Sequence, residues 1–388
     1  MSRPASYAWL ASAALVALAA ACSERPLPEN TASGGTGNFG LGGAGGGTFT
    51  PTRKVDMLFV IDDSGETRLM QDNLIRNFPV FLTTLGNSPA GLPDLRIAVV
   101  STDMGAGDGS IATCDATGGK KGIFQYEPRG TCTSSGLAPG ATFIANNGVV
   151  QNYTGNLADV FACIAALGEN GCSFEHQLAA ATRALGADGM APPEENQGFL
   201  RPEAYLFILI VTNEDDCSAP PDSGLFDVAS NTKLASTLGP PGNFRCNEFG
   251  HLCNGVKPPR LAPNGDVASA VTLDGCASAE DAGMLTPVWK VVEQLRSLKR
   301  FPDQQIAVAT IAGPPTPYTV KWKAPYSADS GPWPYMAHSC TASDGSVADP
   351  AVRLGNWVSM FGNNGVSTSV CNTDYAVSFQ RLAEILPQ

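Results

Sequence analysis

The residues with the most chemical capacity follow directly on apolar runs. Val55-Asp56-Met57-Leu58-Phe59-Val60-Ile61 stops at Asp62, Asp63, Ser64 and Glu66, and the run from Leu95 closes on Thr102 and Asp103. The run from Tyr205 to Thr212 is followed by Asn213, Glu214, Asp215, Asp216 and Cys217, and a further loop supplies Cys172, Ser173 and Glu175. Carboxylates and hydroxyls gathered in such numbers repel one another unless hydrated or bridged by a cation. Oxygen donors of this kind suit Ca²⁺ or Mg²⁺. The alternative gives the same groups to solvent, or to backbone amides at helix starts, where Ser and Asp act as caps.

These residues meet only if the elements bring them to one edge. Nearly continuous apolar runs at 55–61, 95–102, 205–212 and 305–311 predict strands buried on both faces. Helical spacing of apolar residues falls between them, at 69–85, 156–167, 174–185, 284–298 and 375–386. Alternating strands and helices predict an α/β fold, a Rossmann-like, doubly wound, mostly parallel sheet whose ligands bind at the carboxyl ends of the strands. Gly-, Pro- and Cys-rich stretches at about 103–153, 217–275 and 312–350 read as disulfide-stapled insertions that add no second core. Residues 54–388 are therefore expected to form a single domain.

The chain has 388 residues, 43% of them hydrophobic, and a net charge of −12. That apolar share excludes wholesale disorder, and an acidic chain without a basic patch is a poor nucleic-acid partner. Arg3 precedes an apolar run from Tyr7 to Ala21, the pattern of a secretory signal over residues 1–21. Leu18-Ala19-Ala20-Ala21-Cys22 resembles a bacterial lipobox, which implies lipidation of Cys22, a membrane anchor and, with Ser23 following, an outer-membrane location. Residues 22–53 are Gly-rich and read as a flexible tether with a span of about 30 Å. Of eleven cysteines, ten remain after Cys22, an even number that suggests five disulfides in an oxidising compartment. Spacing favours Cys114–Cys132, Cys163–Cys172, Cys246–Cys253 and Cys340–Cys371, leaving Cys217–Cys276, although sequence does not fix connectivity. No C-x-x-C occurs, and three scattered histidines make no zinc signature.

Val55 through Gly65 strongly resembles the opening strand and loop of a von Willebrand factor A domain. Val99-Val100-Ser101-Thr102-Asp103-Met104-Gly105, Gly171-Cys172-Ser173-Phe174-Glu175 and Val211-Thr212-Asn213-Glu214-Asp215-Asp216-Cys217-Ser218 look like a cysteine-rich bacterial lipoprotein branch of that family. The resemblance implies a metal-ion-dependent adhesion site built around D-x-S-x-S, and hence a protein or cell-surface ligand. Asp62 and Ser64 match its first two members, and Glu66 stands where a third Ser is expected. The family's Thr falls near Cys172 or Ser173, and its later Asp falls on Asn213, with Asp215 two residues on. Carboxylates at Glu66, Glu175 and Asp215 in place of hydroxyls would make the site more negative and favour Ca²⁺ over Mg²⁺.

The alternative function is a structural envelope lipoprotein with a dead metal site, and a hydrolase is more distant. No G-x-S-x-G elbow occurs, and His176, His251 and His338 are isolated in sequence, so no enzyme is expected. Asp103 to Gly109 lacks EF-hand spacing and reads as a Gly-rich turn. Tyr318, Trp322, Tyr326, Trp333, Pro334 and Tyr335 form either an exposed contact patch or a layer packed over the sheet edge.

Overall fold

The computed structural model describes residues 50–87, 91–106, 114, 119–220, 223–226, 233–240, 242–279, 284–324 and 331–384. The signal segment, Cys22, most of the tether, Tyr326 and residues 107–109 of the Gly-rich turn lie outside the described residues. In chain order the elements begin with β1 (Lys54–Ile61), α1 (Arg68–Gly86), β2 (Asp94–Ser101), β3 (Ile144–Asn146), α2 (Leu157–Ala165), α3 (Gln177–Leu185) and β4 (Tyr205–Val211). They continue with α4 (Phe244–Gly250), β5 (His251–Cys253), β6 (Ala270–Leu273), β7 (Cys276–Ser278), α5 (Val288–Arg296), α6 (Pro302–Gln305) and β8 (Ile306–Ala312). The last are β9 (Tyr318–Lys323), β10 (Trp333–Ala337), β11 (Cys340–Thr341), β12 (Val347–Ala348), α7 (Val352–Ser359), β13 (Gly365–Ser369) and α8 (Ala376–Glu384).

Six strands form the main sheet in the order β13-β8-β4-β1-β2-β3, all parallel except β3, which runs antiparallel along one edge. The chain winds outward from β1 through β2, then returns to β4 and winds the other way. The order therefore reverses between β1 and β4, the position where open α/β sheets bind ligands. Register carries the carboxyl ends together, with Ile61 beside both Ser101 and Val211.

The period of two along each strand divides the core. Val55, Met57, Phe59 and Ile61 face α1, α2 and α8, where Phe78, Phe81, Phe161 and Phe379 are buried. Leu58 and Val60 face α3, α5 and α7, where Leu178, Val292, Leu354 and Trp357 pack. Phe78 stacks on Phe161 with ring centroids 3.8 Å apart, and Phe59 lies 4.8 Å from Phe161. This aromatic contact fixes α1 and α2 on the central strand.

The structure corrects several expectations. All ten cysteines are bridged, but the pairs are Cys114–Cys172, Cys132–Cys163, Cys217–Cys246 and Cys253–Cys276, and only Cys340–Cys371 follows the nearest-spacing scheme. Tertiary placement decides the pairing. Cys253 and Cys276 are opposite partners in the β5–β7 ladder, Cys163 on α2 holds the first insertion, and Cys217 after β4 reaches α4. The insertions also add a small core of their own: β10-β9-β6 form a separate antiparallel sheet whose Tyr318, Val320, Trp322 and Met336 pack with Phe244 and Val352. Tyr318 and Trp322 are buried, so these aromatics are packing rather than a free contact patch.

Replacing Phe161 with Ala should cost about 3–5 kcal/mol, because it empties the centre of a stacked aromatic layer. Urea unfolding of the variant checks this, and a change under about 1 kcal/mol would contradict the packing.

Candidate functional site

The turn after β1 is built by side chains spent on its own backbone. Asp62 Oδ1 accepts from the Ser64 amide at 2.9 Å, and the Thr67 hydroxyl donates to the Ser64 carbonyl at 2.7 Å. Gln71 on α1 donates to the Asp62 carbonyl and the Gly168 carbonyl, both at 2.8 Å, and so joins this turn to the segment ahead of α3. The Gly171 amide completes the junction at 2.6 Å from the Asp63 carbonyl. A Cβ at Gly171 would collide with Asp63, so the close approach requires glycine.

Across the reversal in strand order, the Thr212 hydroxyl donates to Asp62 Oδ2 at 2.6 Å, and Gln177 Nε2 donates to Thr212 Oγ1 at 3.0 Å. Asp62 is fully buried, and desolvation pushes its carboxyl above the ordinary range despite the Thr212 and Ser64 bonds. Asp63, also buried, accepts from Ser101 Oγ at 2.6 Å and pairs with Lys120.

The four residues after Thr212 separate sharply. Asn213 is buried with its Oδ1 lacking a partner, while its carbonyl accepts from the Asp349 amide at 2.8 Å. Glu214 lies within hydrogen-bond reach of Glu175, and both its oxygens accept from Asn243 Nδ2 at 2.8 Å. Burial, with Asp349 and Asp62 nearby, pushes Glu214 up to about 8. Burial and the Glu214 charge push Glu175 well above the ordinary carboxyl range. Glu175 Oε1 has no partner.

Asp215 and Asp216 turn elsewhere. Asp215 accepts from the amides of Val352 and Arg353 at 2.7 Å and Leu354 at 3.0 Å, which caps α7, and from His251 Nε2 at 2.8 Å. Burial works against its charge, but the His251 bond and the α7 amides hold its carboxyl below the ordinary range. Asp216 takes the Leu178 amide of α3 at 3.0 Å and pairs with Arg353 at 3.1 Å. The expected ligand Asp215 is thus a helix cap, committed to the amides of α7.

At the rim, Glu66 and Ser173 are exposed, and Glu66 has a positive φ of 66°. His338 bonds Asp349 Oδ1 at 2.8 Å, which raises the imidazole above its ordinary range, and Glu66 and Glu214 act in the same direction. Cys172 is consumed by its bridge to Cys114 and offers no ligand. The structure therefore gathers Asp62, Ser64, Glu175 and Asn213 on the switch-point edge, with Glu66 and Ser173 outside and Asp215 withdrawn. Glu214 stands among the candidate carboxylates of the sequence without an assigned ligand role, and Thr212, Asn243, His338, Asp349 and Lys120 are not marked there as site residues. Glu214 was signalled by its place after the strongest apolar run, whereas Asn243, His338, Asp349 and Lys120 come from insertions without periodicity. Of the histidines, His251 is enclosed between Asp215 and Tyr318, whose hydroxyl lies 2.8 Å from Nδ1, and neither ring is open to solvent.

Thr212→Val should destabilise the fold by about 1–3 kcal/mol, since it strips a buried carboxyl oxygen of its donor. Urea unfolding at neutral pH measures it. The Glu214 shift has a definite sign. The folded chain keeps a proton that the unfolded chain releases, so this contribution is complete below pH 4.5 and is lost as pH rises to about 8. In chelator, wild type should therefore lose stability relative to Glu214→Gln across that window. A difference independent of pH would contradict the assignment.

No protein-family model matches the chain, and no curated protein matches it. Among solved structures, the pilus adhesin SpaC from Lactobacillus rhamnosus GG in its open conformation aligns with a TM-score of 0.34 and 12% identity, over 86% of this chain and 30% of the adhesin. The chain thus spans less than a third of that structure's length.

Proposed function

We propose that the chain is a lipid-anchored cell-envelope protein whose von Willebrand A-like domain binds a protein or surface ligand through a divalent cation at the carboxyl edge of its sheet. The observation that carries this reading is a set of buried oxygens at the strand-order reversal. Glu175 Oε1 and Asn213 Oδ1 lack hydrogen-bond partners beside the buried carboxyls of Asp62 and Glu214. Native proteins leave few such atoms unsatisfied, because each costs about 1–3 kcal/mol.

The donor chemistry fits a hard cation. Among the described residues no three His, Cys, Asp or Glu side chains form a ready metal cage. The ion would instead be held by carboxylate, hydroxyl and amide oxygens of Asp62, Ser64, Glu175 and Asn213. When bound, a divalent cation supplies positive charge and an open coordination position for an acidic group on the ligand. The chain's residues do the rest: Thr212 and the Ser64 amide orient Asp62, Asn243 orients Glu214, and Glu175 adds a second buried carboxyl beside Glu214. Glu66 and Ser173 form the exposed rim.

Five disulfides support an oxidising compartment, and Leu18–Cys22 supports the anchor. The structural-lipoprotein reading draws on a different observation, that Asp62 already has a protein donor on each oxygen and Asp215 and Asp216 serve helices.

Calorimetric titration of the unlipidated chain (Cys22→Ser) separates the two. The cation reading expects heat and a raised melting temperature with millimolar Ca²⁺ or Mg²⁺, and at least a tenfold weaker affinity in Glu175→Gln. No heat and no melting shift would leave the structural reading standing.

A further inference from the structure

Among the described residues, Lys120 sits on the acidic edge, and its placement is specific. Lys120 belongs to the first insertion, in the turn Gly119-Lys120-Lys121-Gly122, and its ammonium pairs with Asp63, the residue between Asp62 and Ser64. The Lys120 side chain is 29% exposed, whereas that of Asp63 is 1% exposed. The turn is fixed to the loop after β2: the Lys120 amide donates to the Asp103 carbonyl at 2.9 Å, and Asp103 Oδ1 accepts the Gly105 amide at 2.9 Å. Gly119 has φ +47°, and a Cβ there would collide with Asp103 and the Gly105 backbone. Ser101 holds the second Asp63 oxygen and also accepts the Asp103 amide at 2.9 Å, so one hydroxyl registers both loops. The neighbouring Lys121 is exposed. One of two adjacent lysines is thus turned inward onto a buried carboxylate by a backbone that only glycine permits.

We infer that Lys120 is a tethered counter-ion of the acidic edge. It neutralises Asp63, keeps that carboxylate from acting as a ligand, and limits the negative charge that a mobile cation meets to the Asp62, Glu175, Glu214 and Asp349 group with Glu66 at the rim. The inference deepens the proposed cation site, but its first consequence concerns the metal-free protein. Without Lys120, Asp63 becomes a buried carboxylate with no cationic partner, and a divalent ion becomes the group able to replace the ammonium.

The test compares the full unlipidated chain (Cys22→Ser) with Lys120→Met, Lys120→Arg and the double variant Asp63→Asn/Lys120→Met, by thermal melts in chelator and in millimolar Ca²⁺ or Mg²⁺. Lys120→Met should melt roughly 5 °C below wild type in chelator. Divalent ions should recover most of that loss, producing a larger upward shift than in wild type. Lys120→Arg should behave as wild type, and the double variant should regain stability in chelator without the added ion response. A Lys120→Met protein that melts with wild type in chelator, or whose ion shift equals that of wild type, overturns the inference. If Lys120→Met does not fold, a double variant that folds supports it, and one that also fails overturns it. An ion response in Lys120→Met but not in wild type would uphold the counter-ion while removing the cation from the proposed function.

Discussion

The hydrogen bond from the Thr212 hydroxyl to Asp62 Oδ2 joins the carboxyl ends of the two central strands where the strand order reverses. The arrangement of the edge depends on it. Asp62 fixes the turn that begins α1 through the Ser64 amide, and Thr212 receives Gln177 from the start of α3. Breaking this one contact would leave a desolvated carboxyl oxygen unpaired at the junction of both strand ends. A polar bond at the centre of an apolar sheet thus sets the geometry of the surface above it.

The same edge shows how one acidic run is divided among different tasks. Glu214, Asp215 and Asp216 are consecutive, yet only Glu214 faces the other buried carboxyls. Asp215 and Asp216 offset the amide dipoles of α7 and α3, where negative charge is stabilised. Asp63 is neutralised by Lys120. The charge left over is therefore smaller than the sequence suggests, and among the described residues it rests on Asp62, Glu175, Glu214 and Asp349, with Glu66 at the rim and His338 adjoining. Burial raises the carboxyls of Asp62, Glu175, Glu214 and Asp349 above their ordinary range, which ties the charge of this edge to pH.

The main sheet was legible because its strands are long and apolar on both faces: β1, β2, β4 and β8 stand out without context. β13, Gly-Val-Ser-Thr-Ser, is short and polar, and β3 has three residues, so both depend on pairing that no local pattern announces. The small sheet was hidden for the same reason, since β6, β9 and β10 read as loop until Tyr318 and Trp322 find Phe244. Asp62, Ser64, Glu175 and Asn213 were legible as residues following or preceding strong elements. Asp215 was misread because its partners, the amides of 352–354, lie 137 to 139 positions away in sequence. Cysteine spacing failed likewise: Cys114 meets Cys172 across the edge of the site, at a separation of 58 residues.

The proposed function places a divalent cation on the buried oxygens at the reversal. Anomalous diffraction from crystals grown with manganese, an oxygen-seeking ion with a usable signal, tests it most directly. A peak is expected within coordination distance of Asp62, Glu175 and Asn213, with Glu175 and Glu214 drawn apart. A map without a peak on this edge, with Glu175 and Glu214 still paired, would contradict it.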